Sequence, residues 1–370
     1  MVIWIALLTG SLLACAGLLA GRVLYRRRRY DEEWKVLTDP IPKLLNAALV
    51  LCCLAAAASG VQCVRTAGDP RPTLVQVART VAVADTAPAK SASSPATPAT
   101  LRALMTRLRP LHQLMGKPQP GDWLARHRES GQTFAQYLDA NPTRPTGTRN
   151  ALYVQPIGAF NTLERKVLQL TADFMSRYFC LPVKVARDLP LSAIPARARR
   201  THPSWGDHQI LSTYVLNNVL KPRLPADAVS YLALTTSDLW PGGGWNFVFG
   251  QASLRDRVGV WSVYRNGEPQ KSPTHFRQYL LRTLKTATHE TGHMFSVWHC
   301  TKYECNMCGS NSRPESDRRP LALCPECVAK VTWVAKCDPT RRFSRLLDFS
   351  KQHGLARATA YYQKALATAR

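Results

Sequence analysis

An α+β domain is what this sequence predicts, with a mixed, mainly parallel sheet over a long helix, a smaller cysteine-bearing C-terminal part and an N-terminal membrane region. Three observations carry that expectation. Short apolar runs alternate with amphipathic stretches between residues 151 and 264, a proline-opened helical stretch at Pro273 leads into closely spaced cysteines, and residues 2–20 carry no charge. Strand patterns that alternate with helix patterns imply crossover connections and parallel pairing.

The N-terminus comes first. At about 1.5 Å per residue a helical run over residues 2–20 is long enough for a bilayer core of about 30 Å. Arg26, Arg27, Arg28 and Arg29 follow it, whereas a cleavable signal carries its positive charges ahead of the apolar run, so the order reads as an uncleaved anchor. A second apolar run covers residues 44–64. The expected transmembrane region is therefore 1–65, with helices at about 2–24 and 44–64 and the lipid bilayer as a partner. If both runs insert, the connection bearing Arg22, the four arginines, Lys35 and Lys43 faces the cytoplasm, and everything after Val64 is extracytoplasmic. If the second run stays at the interface, the remainder is on the cytoplasmic face. Residues 66–100 are rich in Ala, Pro, Ser and Thr and read as a linker.

The remaining residues, 101–370, form the expected globular domain. Residues 101–109 read as a short helix and 118–121 as a turn. Strands are expected at 151–157 and 181–186, with an amphipathic helix at 162–179 that spaces Leu163, Val167, Leu170 and Phe174 along one side. A helix is expected over 209–220. The mostly apolar run 229–236 reads as a strand buried within a sheet. Residues 247–252 and 258–264 read as two further strands, and Gly242, Gly243 and Gly244 form a loop without the lysine of a phosphate cradle. Pro273 suits the first turn of a long helix, and 341–349 and 356–367 read as closing helices.

The chain of 370 residues has 49 Lys plus Arg against 24 Asp plus Glu, a formal charge of +25. Those charges are scattered and no basic groove interleaved with aromatics is visible, so no nucleic-acid partner is expected. Eleven cysteines without regular spacing are not a disulfide framework.

Chemistry concentrates between residues 289 and 327. His289 and His293 stand four apart, on one face of a helix, where both imidazoles can reach one Zn²⁺ at about 2.0 to 2.1 Å. Glu290 points to the neighbouring side, placed to deprotonate a water on that metal as a general base. His299 follows six residues later and can join only if the chain turns sharply. Three protein ligands leave a fourth position open, which is the arrangement of a catalytic zinc. Cys300 and Cys305, then Cys324 and Cys327, suit a closed Cys₄ site, and Cys308 three after Cys305 is an alternative ligand. Met307 lies between the pairs, where its thioether can floor the histidine site.

The run His289-Glu290-x-x-His293-x-x-Ser296-x-x-His299-Cys300-x4-Cys305-x-Met307, followed by Cys324-x-x-Cys327, resembles the signature of the archaemetzincins, a metzincin-like family of zinc peptidases. The resemblance extends through Gly309-Ser310-Asn311, Asp317-Arg318-Arg319-Pro320-Leu321, residues 246–252 and Gly121-Asp122-Trp123-Leu124, roughly residues 110–350 in all. It implies a metzincin-like mixed sheet, a peptide or protein substrate, and two zinc ions. One ion is catalytic on His289, His293 and His299 with Glu290 as base; the other is structural on Cys300, Cys305, Cys324 and Cys327. It also implies an antiparallel edge strand, one of the segments 247–252 or 258–264, that pairs with extended substrate. The departure is Ser296, where the family has glycine; a serine there costs ~1 kcal/mol if its φ must be positive. The alternative function, motivated by Ser296, is an inert zinc- and peptide-binding module tethered to the membrane.

Overall fold

The computed structural model describes residues 75–81 and 96–370. The chain divides into two units, Met1–Arg71 and Pro72–Arg370. Both apolar runs, and the membrane helices expected from them, lie outside the described residues. Among the described residues no helix is long and apolar enough to cross a membrane.

The strands are β1 (Val77–Val81), β2 (Ala151–Ile157), β3 (Val183–Ala186), β4 (Arg199–Thr201), β5 (His208–Leu211), β6 (Ala228–Thr235), β7 (Asp238–Trp240), β8 (Gly250–Ala252) and β9 (Val258–Ser262). Six of them form one sheet in the order β1-β3-β2-β6-β9-β8, and β4-β5-β7 form a second. In the larger sheet β3, β2, β6 and β9 run parallel, while β1 and β8 close the two edges antiparallel. The architecture is mixed α/β, as the alternating pattern implies.

Every residue of β2 and β6 is buried, because the sheet is covered on both faces. Successive side chains of a strand point to opposite faces. Leu152, Val154, Leu232 and Leu234 accordingly enter one core, while Tyr153, Ile157, Tyr231 and Ala233 enter the other.

The helices are α1 (Pro98–Leu108), α2 (Trp123–Arg126), α3 (Phe134–Asp139), α4 (Thr162–Phe179), α5 (Ser212–Tyr214), α6 (Pro273–Met294), α7 (Arg313–Arg318), α8 (Pro325–Ala335), α9 (Pro339–Gln352) and α10 (Ala356–Ala369). The first core is completed by Leu168 and Phe174 of α4, by Tyr279, Leu284 and Ala287 of α6, and by α1 and α8 to α10. The second is completed by Ile194, Ile210, Val215, Leu216 and Val219. Both long helices start where their caps dictate. Asn161 and Glu164 form a reciprocal capping box on α4, and Ser272 accepts from His275 N ahead of Pro273 on α6.

Three expectations change. The linker span 66–100 holds β1, whose exposed residues pair through backbone bonds with β3 and leave little hydrophobic pattern to read, and α1 already begins at Pro98. The helix expected over 209–220 is a strand to Leu211 and helical only afterwards. Gln209 is drawn into the β5–β7 ladder, donating to Asp238 Oδ2 at 2.6 Å and to Asn246 O at 2.9 Å. The strand expected over 247–252 pairs in the large sheet only from Gly250; Val248 instead bridges to Leu239.

Candidate metal centre

Helix α6 runs beneath the β8 edge of the sheet and delivers His289, Glu290 and His293. It ends in a Schellman turn: Val297 N donates to Gly292 O at 3.1 Å and Ser296 N to His293 O at 2.7 Å, with Ser296 in the left-handed region at φ +64°. That reversal swings His299 back toward the helix. The serine takes the conformation glycine would supply, and the third imidazole still arrives.

One nitrogen from each of His289, His293 and His299 falls within 4.8 Å of the others. Each outward nitrogen is engaged. Nδ1 of His289 lies 2.7 Å from Asn306 O, and Nδ1 of His293 lies 2.7 Å from Val297 O. Nδ1 of His299 lies 2.9 Å and 3.1 Å from the two Glu129 oxygens. These partners orient the rings and turn Nε2 inward in all three, with the Nε2 atoms of His289 and His293 2.9 Å apart. Burial pulls His289 down to about 3 and His293 well below the usual imidazole range, so both are neutral and able to bind metal.

Glu290 is buried beside this trio, and burial alone pushes its carboxyl up to about 8. A methyl at Gly250 would come within 2.5 to 2.7 Å of Glu290 Oε1, Cδ and Cγ, so the absence of a side chain there is what lets strand β8 pass directly over the carboxyl group. Met307 meets α6 in the same way, its Sδ lying where a methyl on Gly292 would approach to 2.7 Å. The thioether packs against the helix at Gly292, one residue before His293.

The Sγ atoms of Cys300, Cys305, Cys324 and Cys327 also lie within 4.8 Å of one another, all buried. Cys300 and Cys324 are 3.6 Å apart, and Cys305 Sγ accepts from Cys324 N at 3.2 Å. Cys308 is outside this group; its thiol donates to Tyr303 O at 3.3 Å. Bonds of about 2.1 Å to nitrogen and 2.3 Å to sulfur put neighbouring donors roughly 3.4 and 3.8 Å apart around a tetrahedral ion. Both donor sets fit zinc by number and chemistry, and the 3.6 Å between Cys300 and Cys324 is close to the spacing for sulfur. They also share a loop, since Cys300 N donates to Met307 O at 2.7 Å and Asn306 follows Cys305 directly.

Sequence reasoning missed Glu129, 170 positions before its histidine, which no local spacing signals. It also missed His127. That ring stacks on Trp123 at 4.0 Å and faces Trp245 at 5.8 Å, while Trp123 meets His299 edge-on at 5.1 Å, forming an aromatic wall beside the site.

A helix-borne histidine pair with an intervening glutamate, a third histidine returned by a tight turn and a methionine below them define a zinc metallopeptidase. The sequence comparisons agree. Residues 212–333 match the model of peptidase family M54. Archaemetzincin-2 of Macaca fascicularis is 34% identical over 260 residues, covering 62% of this chain and 71% of that one. The archaemetzincin of Archaeoglobus fulgidus is 32% identical over 183 residues, covering 49% of this chain and 99% of its own. The crystal structure of that A. fulgidus protein aligns with a TM-score of 0.40 at 27% identity, over 49% of this chain and 99% of that chain. The chain belongs to the archaemetzincin family.

Proposed function

We propose that this protein is a membrane-anchored, zinc-dependent peptidase. In it His289, His293 and His299 hold a catalytic zinc, Cys300, Cys305, Cys324 and Cys327 hold a second, structural zinc, and Glu290 is the general base. The observation that carries the reading is the buried Glu290 carboxyl beside three inward-facing imidazole nitrogens. Zinc, when bound there, polarises a carbonyl and lowers the pKa of water toward neutrality. With zinc bound, its charge would offset the burial that raises the Glu290 carboxyl, and Glu290 as carboxylate takes the proton of the attacking water and returns it to the leaving amine. Extended peptide lies along the outer edge of β8, the last strand of the sheet, by strand addition. Glu129 acts through His299, holding its ring in place.

The uncharged run 2–20, the arginines after it and the second run 44–64 support anchoring, with the catalytic unit on the extracytoplasmic side. Labelling of single introduced cysteines from either side of the membrane tests that placement, and a 101–370 unit labelled only from the cytoplasm overturns it. For the chemistry, Glu290→Gln is expected to abolish cleavage of a peptide library while zinc content stays at the wild-type level. A fully active Glu290→Gln enzyme would remove the mechanism.

A further inference from the structure

Ser296 is buried and sits three residues before His299, in a backbone conformation that side chains disfavour. Its hydroxyl is fully used. Oγ donates to Leu254 O at 2.8 Å and accepts from Thr143 N at 3.1 Å. Leu254 lies two residues beyond Ala252, the last residue of edge strand β8, and Thr143 lies in the loop after α3. One oxygen therefore ties the turn that delivers His299 to the loop leaving the edge strand. Gln132 secures the same turn, donating Nε2 to Ser296 O at 3.4 Å and accepting from Trp298 N at 3.3 Å.

A glycine at this position would adopt the turn without strain and could make neither hydroxyl bond. The strained residue thus supplies a link that the relaxed one lacks. That link joins the two parts that must keep a set separation for hydrolysis: the strand along which a peptide is expected to lie, and the turn carrying the third imidazole.

We propose that Ser296 is a positioning residue whose hydroxyl holds edge strand β8 and the His299 turn in one register. Filling the histidine site and binding extended peptide then reinforce each other, because both draw on the same fixed geometry. This inference rests on the peptidase reading above and assigns the departure from glycine a role within it.

The test compares the full chain with its Ser296→Gly, Ser296→Ala and Ser296→Asn variants. Ser296→Gly relieves the strain, so it should melt at or above the wild-type temperature. It should nevertheless hold zinc about tenfold more weakly in competition with a chromophoric chelator, the lower end of what lost outer-shell support costs, and show a raised KM for an extended peptide. Asparagine tolerates the left-handed region and offers an amide donor for Leu254 O. Ser296→Asn should therefore recover most of the zinc affinity and KM.

Wild-type zinc affinity and KM in Ser296→Gly, or a Ser296→Asn no better than Ser296→Gly, overturn the proposal. Should Ser296→Gly not fold, Ser296→Asn is set against Ser296→Ala, which keeps the strain without the donor, and equal zinc affinities in that pair are the overturning result. Zinc competition is read without turnover. A wild-type chain that binds zinc but cleaves nothing would therefore sink the peptidase reading and leave the zinc comparison intact.

Discussion

Glu129 contributes to the metal centre through a single pair of contacts, yet it decides how one imidazole is presented. With both carboxylate oxygens near Nδ1, His299 has its Nε2 turned inward before any ion arrives. Glu129→Ala is expected to weaken zinc binding by about 10- to 100-fold, measured by chelator competition. Glu129→Gln, which retains an acceptor, should lose less. At Gly250 the argument is steric. Gly250→Ala puts a methyl against the Glu290 carboxyl, and a displacement of about 1 Å of a reacting group costs on the order of 10²-fold in kcat. The melting temperature should change little by comparison, because the edge strand keeps its backbone pairing. His289 and His293 were legible in the sequence because helical geometry puts residues four apart on one face, and Glu290 and His299 because they complete the composite motif around that pair. Glu129 and Gly250 were not, since their partners lie far along the chain.

Among the elements, the C-terminal helices close the domain through polar contacts as well as apolar ones. His112, just after α1, lies 3.0 Å from the Tyr361 hydroxyl of α10, which donates to Leu323 O at 3.3 Å. Burial lowers the pKa of His112 to about 4, against a nearby Cys300 that raises it. The unfolded chain takes up a proton near pH 6.5, so the folded form is favoured fully above that pH. The contribution is lost as pH falls from about 6.5 to 4, by at most ~3 kcal/mol, and by less because the ring keeps some contact with water. The urea midpoint should fall further between pH 7 and 4.5 for the wild type than for His112→Gln; parallel profiles would refute this. The cysteine cluster acts at the same scale. It braces the loop that places Asn306 O on His289 and Met307 under α6. Cys324→Ser is thus expected to lower both the melting temperature and the affinity of the histidine site for zinc, which a metal titration would reveal. The length and start of α6 were readable from Pro273 onward. The strand at Gln209 was not, because a helix-compatible pattern there is overridden by pairing with β7.

At the scale of the whole molecule, the two donor sets differ in access and in charge, so metal should leave in two stages. Three imidazole donors leave the fourth position of a tetrahedral ion open, whereas four buried cysteines, which bind metal as thiolates, enclose theirs. A mild chelator should end peptidase activity with little change in melting temperature. Removal of the second ion, with a thiol reagent present, should unfold the C-terminal part and lower the melting temperature sharply. A single coincident loss of activity and structure would contradict this separation. The sequence alone determined the mainly parallel sheet, the long helix bearing His289 and His293, the two clusters of candidate ligands and the family, because each is marked by patterns or spacings within short stretches of chain. Tertiary structure alone decided the capture of β1 from a linker-like stretch, the pairing of Glu129 with His299, the passage of Gly250 over Glu290 and the use of the Ser296 hydroxyl. Those depend on which distant segments the core brings together, and packing geometry, unlike local periodicity, leaves no regular trace in the order of residues.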